Sequence, residues 1–66
     1  MREFFENGYG ISVIETYAKG DSLEIAVLKG DSYDWRICYD TKITDNVIGG
    51  LSEDEVNKIA TQIANL

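Results

Sequence analysis

The sequence predicts an α+β domain, a three-stranded antiparallel β-meander packed against one C-terminal α-helix. Three observations carry this. Residues 51–66, LSEDEVNKIATQIANL, have the period and capping of a helix. Residues 9–40 alternate apolar and polar side chains in three runs, and glycine-bearing turn sequences separate those runs. At 66 residues the chain is a single domain, spanning 1–66, with arm 1–8, meander 9–40, linker 41–50 and helix 52–65. A chain of this size buries only about 60% of its extended surface, so its core is one thin layer.

The helix rests on independent signals. Ser52 is a favoured N-cap and Glu55 follows three residues later, the spacing of a capping box. Leu51 before the cap and Val56 within the helix supply a hydrophobic staple. Glu53, Asp54 and Glu55 fill the first turn, where the positive end of the macrodipole favours carboxylates. Val56, Ile59, Ala60 and Ile63 then recur at i, i+3, i+4 and i+7 as one apolar stripe. So short a helix is marginal alone and must lie on something.

Taken in order, the arm MREFFENG reads as irregular. Adjacent Phe4 and Phe5 cannot share one face of a strand, and at least one is expected against the core; Asn7-Gly8 marks a turn. Residues 9–17 form the first strand, with Ile11 and Val13 on one face and Ser12, Ile14 and Thr16 on the other. Residues 23–28 form the second, presenting Leu23, Ile25 and Val27. Residues 33–40 form the third, with Tyr33, Trp35, Ile37 and Tyr39 alternating against Asp34, Arg36, Cys38 and Asp40. The helix stripe is expected to cover Ile11, Val13, Leu23, Ile25, Val27, Trp35 and Ile37.

The tetrapeptide KGDS occurs at 19–22 and again at 29–32. Its glycine suits a tight turn and its Asp and Ser bond back to the backbone, so turn chemistry outweighs an adhesion-tripeptide reading of KGD. In the linker, Thr44-Asp45-Asn46 suits one helical turn carrying Val47 and Ile48 and ended by Gly49-Gly50, and residues 42–44 have room for a short fourth strand.

Twelve acidic residues against six basic ones give a net charge of −6, and there is no histidine. Direct binding to nucleic acid is disfavoured, because phosphate contacts need a basic patch. The expected partner is instead a protein with a basic surface, although the charge also serves solubility. Cys38 is the single cysteine, which points to a reducing compartment. The opening residues lack the apolar run of a signal peptide and no stretch approaches a membrane span, so a cytoplasmic location is expected.

Chemistry has little to build on. Without histidine there is no neutral-pH acid–base group, and Cys38 has no activating partner. NGYG and VIGG lack the phosphate-binding motif. One cysteine and no histidine make zinc improbable, and the carboxylate spacing fits no calcium loop. No enzyme activity, cofactor or metal is expected. Stacking of bases on Tyr33, Trp35 and Tyr39 is a third reading, set below core packing for want of surrounding basic residues.

Two surfaces remain as candidates. One is an acidic zone of Asp34, Asp40, Asp45, Glu53, Asp54 and Glu55, suited to a basic partner. The other is the sheet face away from the helix, carrying Ser12, Ile14, Ala26, Leu28, Arg36 and Cys38. It is too apolar for a solvated face: either the Phe4-Phe5 arm folds over it, or Ile14, Leu28 and Cys38 form a homodimer or partner interface.

At NGYGISVI, AVLKG and especially WRICYDTKITDNVIGGLSEDEV, the chain resembles small orphan proteins of tailed bacteriophages and prophages. The shared pattern is W-x-x-C-Y-D-T-x-I-T-D-x-V-I-G, and the resemblance runs from about Phe4 to Val56, with a shorter loop between Tyr17 and Leu23. It brings no catalytic or binding residues. It implies an accessory protein acting in the host cell, a class that includes inhibitors and modulators of host machinery of the anti-CRISPR, anti-restriction and polymerase-binding kinds.

Overall fold

A computed structural model describes residues 1–16, 22–43 and 48–66. Their architecture is α+β: an antiparallel sheet of β1 (Arg2–Phe4), β2 (Tyr9–Thr16), β3 (Ser22–Gly30), β4 (Trp35–Ile37) and β5 (Ile48–Leu51), with helix α1 (Glu53–Ala64) packed on one face. Strand order is β1-β2-β3-β4, and β5 joins the same edge of β3 as β4 does, at its other end.

The central ladder is β2 on β3, in register from Tyr9↔Lys29 to Thr16↔Ser22. Ile11 and Val13 therefore share a face with Ile25 and Val27, as the alternation predicts. Val56 and Ile63 of α1 close on these four together with Cys38, and Leu23, Leu51, Ile59 and Ala60 pack around them. Ile11, Ile25, Val27 and Ile63 are essentially sealed from solvent. Each such side chain contributes roughly 1.5–3 kcal/mol through burial.

The helix ends are both satisfied, each in its own way. At the start, the Glu55 backbone N–H donates to Ser52 Oγ at 3.2 Å and the Ser52 N–H donates to Glu55 Oε1 at 3.1 Å, completing the expected capping box. At the finish no basic side chain meets the negative end of the dipole; the Asn7 side-chain amide donates to the Ile63 carbonyl at 2.8 Å instead. The Asn7-Gly8 turn thus ties the two ends of the sequence together. Gly8 has φ +86°, as such a turn requires.

Four expectations need correction. The arm is not irregular: Arg2–Phe4 is an edge strand pairing Arg2↔Ser12 and Phe4↔Gly10. It forms because Gly10 leaves room for the Phe4 ring, which a Cβ there would meet at 2.7 Å.

The additional strand lies at Ile48–Leu51, whereas Thr41 to Ile43 form a bend. Ile48 belongs to that strand and not to a helical turn. Ile48 and Leu51 stand three apart, yet both reach the core side, because Gly49-Gly50 oppose Glu24 alone in a bulge with Gly50 at φ +72°. The helical turn expected at Thr44-Asp45-Asn46, Thr44 of the fourth-strand suggestion and the 17–21 part of the first turn lie outside the described residues.

The second strand runs on to Gly30, so Lys29 and Gly30 are ladder rather than turn. The third strand shrinks to Trp35–Ile37, and its faces are reversed: Ile37 pairs with Leu28 and Arg36 with Lys29. Trp35 and Ile37 therefore lie away from the helix, while the Cys38 N–H donates to the Val27 carbonyl at 2.8 Å and its side chain enters the core. A one-residue change in register turns every side chain over, and the turn before β4 sets that register.

The described residues contain no helix long and apolar enough to cross a membrane.

Candidate functional site

Among the described residues, the sheet face opposite α1 carries several of the large apolar side chains left in solvent. Its middle is closed: Leu28 is 0% and Ala26 7% exposed although no second layer covers them among the described residues. Side chains of the sheet itself provide the cover. The Phe4 ring lies over Gly10, next to Leu28 in the cross-strand row Phe4–Gly10–Leu28–Ile37. From the two outer strands, the Arg2 guanidinium sits 4.7 Å from the centre of the Trp35 ring, in cation–π contact.

Around that seal the surface is apolar and open. Trp35 is 37%, Ile37 39%, Tyr39 52% and Tyr33 97% exposed, one side chain in every two along the YDWRICYD segment. Ile14, at 52%, stands on the same face near the other end of β2.

The turn that presents this row is tightly built. Gly30, at φ +127°, ends β3 in a conformation other residues avoid, and a Cβ there would strike the Asp34 carbonyl oxygen. Its N–H donates to the Gly8 carbonyl at 2.9 Å, fixing the turn to the N-terminal loop. Asp31 closes the turn: its Oδ1 accepts from the Tyr33 N–H at 2.8 Å and the Asp34 N–H at 2.9 Å, while its own N–H donates to the Asp34 carbonyl at 3.0 Å. Those two donors, Tyr33 first, hold the Asp31 carboxyl below its ordinary value of 3.8. Tyr33 is thus fully solvated on a backbone that is held in place.

The acidic residues do not form one zone. Asp34, Asp40, Glu53, Asp54 and Glu55 are all exposed, and Asp45 lies outside the described residues. Glu53, Asp54 and Glu55 crown α1, which follows β5 at the Leu23 end of β3. Asp34 belongs to the turn beyond Gly30, at the opposite end of that nine-residue strand. At about 3.3 Å per residue the two groups stand roughly 20 Å apart along the sheet. Glu55 is also committed to the capping box. No three carboxylates or thiols among the described residues converge as a metal-binding set.

The alternative interface of Ile14, Leu28 and Cys38 is not one surface. Ile14 is exposed, Leu28 is sealed on the same face, and Cys38 is buried beneath the helix on the other. The residues exposed in their stead include Trp35 and Ile37, which alternation places on the core side and the pairing register moves out, and Tyr39 beyond them. The signal that locates them is the GDSYD turn: a turn closed by the Asp31 carboxylate and opened by a left-handed glycine fixes where β4 begins. No family model matches the chain, and no curated protein or solved structure matches it.

Proposed function

We propose that this chain is a non-enzymatic binding protein, of the small acidic bacteriophage kind its sequence resembles, that engages a basic surface of a host protein and inhibits or modulates it. A nucleic-acid-binding defence complex, the target of anti-CRISPR and anti-restriction proteins, is the partner class with the most suitable surface. The observation that carries this reading is the exposed row Tyr33, Trp35, Ile37 and Tyr39, interleaved along the chain with exposed Asp34, Arg36 and Asp40. Aromatic anchors in a polar surround are the composition of protein interfaces, and carboxylates at the rim select a basic partner. A net charge of −6, the absence of histidine and the burial of the only cysteine also favour binding over catalysis.

The test is affinity capture from host lysate at low and high salt, with wild type and an Asp34→Lys/Asp40→Lys double variant. Capture that weakens with salt and is lost in the double variant is the expected result. Capture indifferent to both, or none at all, removes the electrostatic reading. Self-association is the second reading, favoured by exposed Ile14 and Ile37 on one sheet face. Opposed to it are the like charges that two copies would bring together. Sedimentation of the wild type as a monomer disposes of it.

A further inference from the structure

We infer that the Trp35 face is a receptor for a partner's arginine, and that the chain's own Arg2 holds the place until that partner arrives. This rests on the binding role proposed for the face and names the chemistry of its recognition. Arg2 lies over the ring at 4.7 Å, yet both residues are substantially exposed and Arg2 opens a three-residue strand at the sheet edge. β1 is held by its backbone, including the Met1 ammonium donating to the Val13 carbonyl at 2.6 Å, so the Arg2 side chain can swing off without unpairing the strand.

The exchange replaces one guanidinium on the indole by another, so the ring keeps a cation on its face throughout. The incoming group also gains what Arg2 does not need: apolar surface on Ile37 and Tyr39 for its neighbouring residues, and the attraction of a chain whose net charge is −6. A second copy of this chain suits the site poorly, because it brings the same carboxylates to the interface. The occupant is a segment in which arginine alternates with apolar residues. Arginine fits better than lysine because its planar group stacks on the ring.

Trp35 is the sole tryptophan, so its emission reports on the site directly. The probe is a nine-residue peptide of alternating arginine and valine, with a glutamine-for-arginine peptide as control. The arginine peptide is expected to shift Trp35 emission saturably, and the glutamine peptide is not. Arg2→Ala should bind the arginine peptide about two- to fivefold tighter, the value of one exposed cation–π pair. Arg36→Ala removes an equal charge from the other face of β4 and should tighten binding less.

Should Arg2→Ala fail to fold, the wild type answers alone. The Arg2 side-chain NMR signals, displaced by the indole ring current, should return to ordinary values as peptide saturates. Equal tightening in both arginine variants would reduce the effect to bulk charge and overturn the inference. So would unchanged Trp35 emission, Arg2 signals that stay displaced at saturation, or an emission shift on concentrating the protein alone, which would give the face to a second copy. A host partner captured through the carboxylates but indifferent to Trp35→Leu would also overturn it, while leaving the proposed function standing.

Discussion

The two faces of the sheet share the same strands and differ in how they are closed. Beneath α1, Ile11, Val13, Ile25, Val27 and Cys38 meet Val56 and Ile63 in a continuous cluster. On the reverse, Leu28 and Ala26 are just as dry, but their cover is a phenylalanine over a glycine and an arginine over a tryptophan. One face is closed by a secondary-structure element, the other by side chains that remain partly in water. The first kind of closure serves stability, since removing it exposes the core. The second rests on side-chain contacts alone, the kind of cover that opens locally at low cost.

That contrast can be broken in graded ways. The largest effect should come from Ile63→Ala, which opens a cavity under the helix at a residue with no exposed surface. Such truncations cost about 2–5 kcal/mol. A domain of this length has only roughly 3–10 kcal/mol of stability in total, so urea unfolding should show the variant near its limit. A loss below ~1 kcal/mol would mean that the helix is not the principal closure.

Gly10→Ala tests the other face. Its Cβ would come within 2.6 Å of the Glu3 carbonyl oxygen and 2.7 Å of the Phe4 ring, so β1 must shift or detach. The expected cost is about 1–3 kcal/mol, in the range of overpacked sites. Hydrogen exchange should show it as faster exchange at Arg2–Phe4 while the helix amides stay protected.

Ser52→Ala removes the oxygen that accepts from Glu55 and should cost about 1 kcal/mol in denaturant unfolding. Ile37→Thr, at a side chain 39% exposed, should stay within about 0.5 kcal/mol of wild type. If it proves as costly as Ile63→Ala, the two faces are equivalent and the case for an open one fails.

The smallest effect is a titration. Asp31 is more acidic folded than unfolded, so its support of the turn is full above the ordinary value of 3.8. That support is lost as pH falls through the lower folded value. The Tyr33 and Asp34 amide resonances should follow this step below pH 3.8, and Asp31→Asn should abolish it.

Much of this architecture was legible in the residues. The helix, its capping box and its stripe of Val56, Ile59, Ala60 and Ile63 are local, set by spacings of three and four, and the structure reproduces them. The facing of β2 and β3 follows from alternation in the same way. The candidate site was not legible, because it depends on pairing. YDWRICYD alternates equally well in either phase, and apolar weight alone points Trp35 and Ile37 inward. Their outward position comes from Ile37 pairing with Leu28 after a turn locked by Asp31. Likewise the acidic residues are continuous in composition but divided in space: Glu53, Asp54 and Glu55 follow β5 at the Leu23 end of β3, and Asp34 stands in the turn beyond Gly30 at the other.

By itself the sequence determined the α+β class, the extent of the helix, the inward faces of the two long strands and an acidic surface poor in reactive groups. Those follow from interactions within a few residues and from charge, which need no knowledge of neighbours. Tertiary structure alone decided that residues 2–4 and 48–51 become strands, that the helix finish is capped by Asn7, and that Arg2 comes to rest on Trp35. Each of these joins groups far apart in the chain, and short or glycine-bearing segments such as REF and IGGL carry too little local preference to announce the partner that orders them.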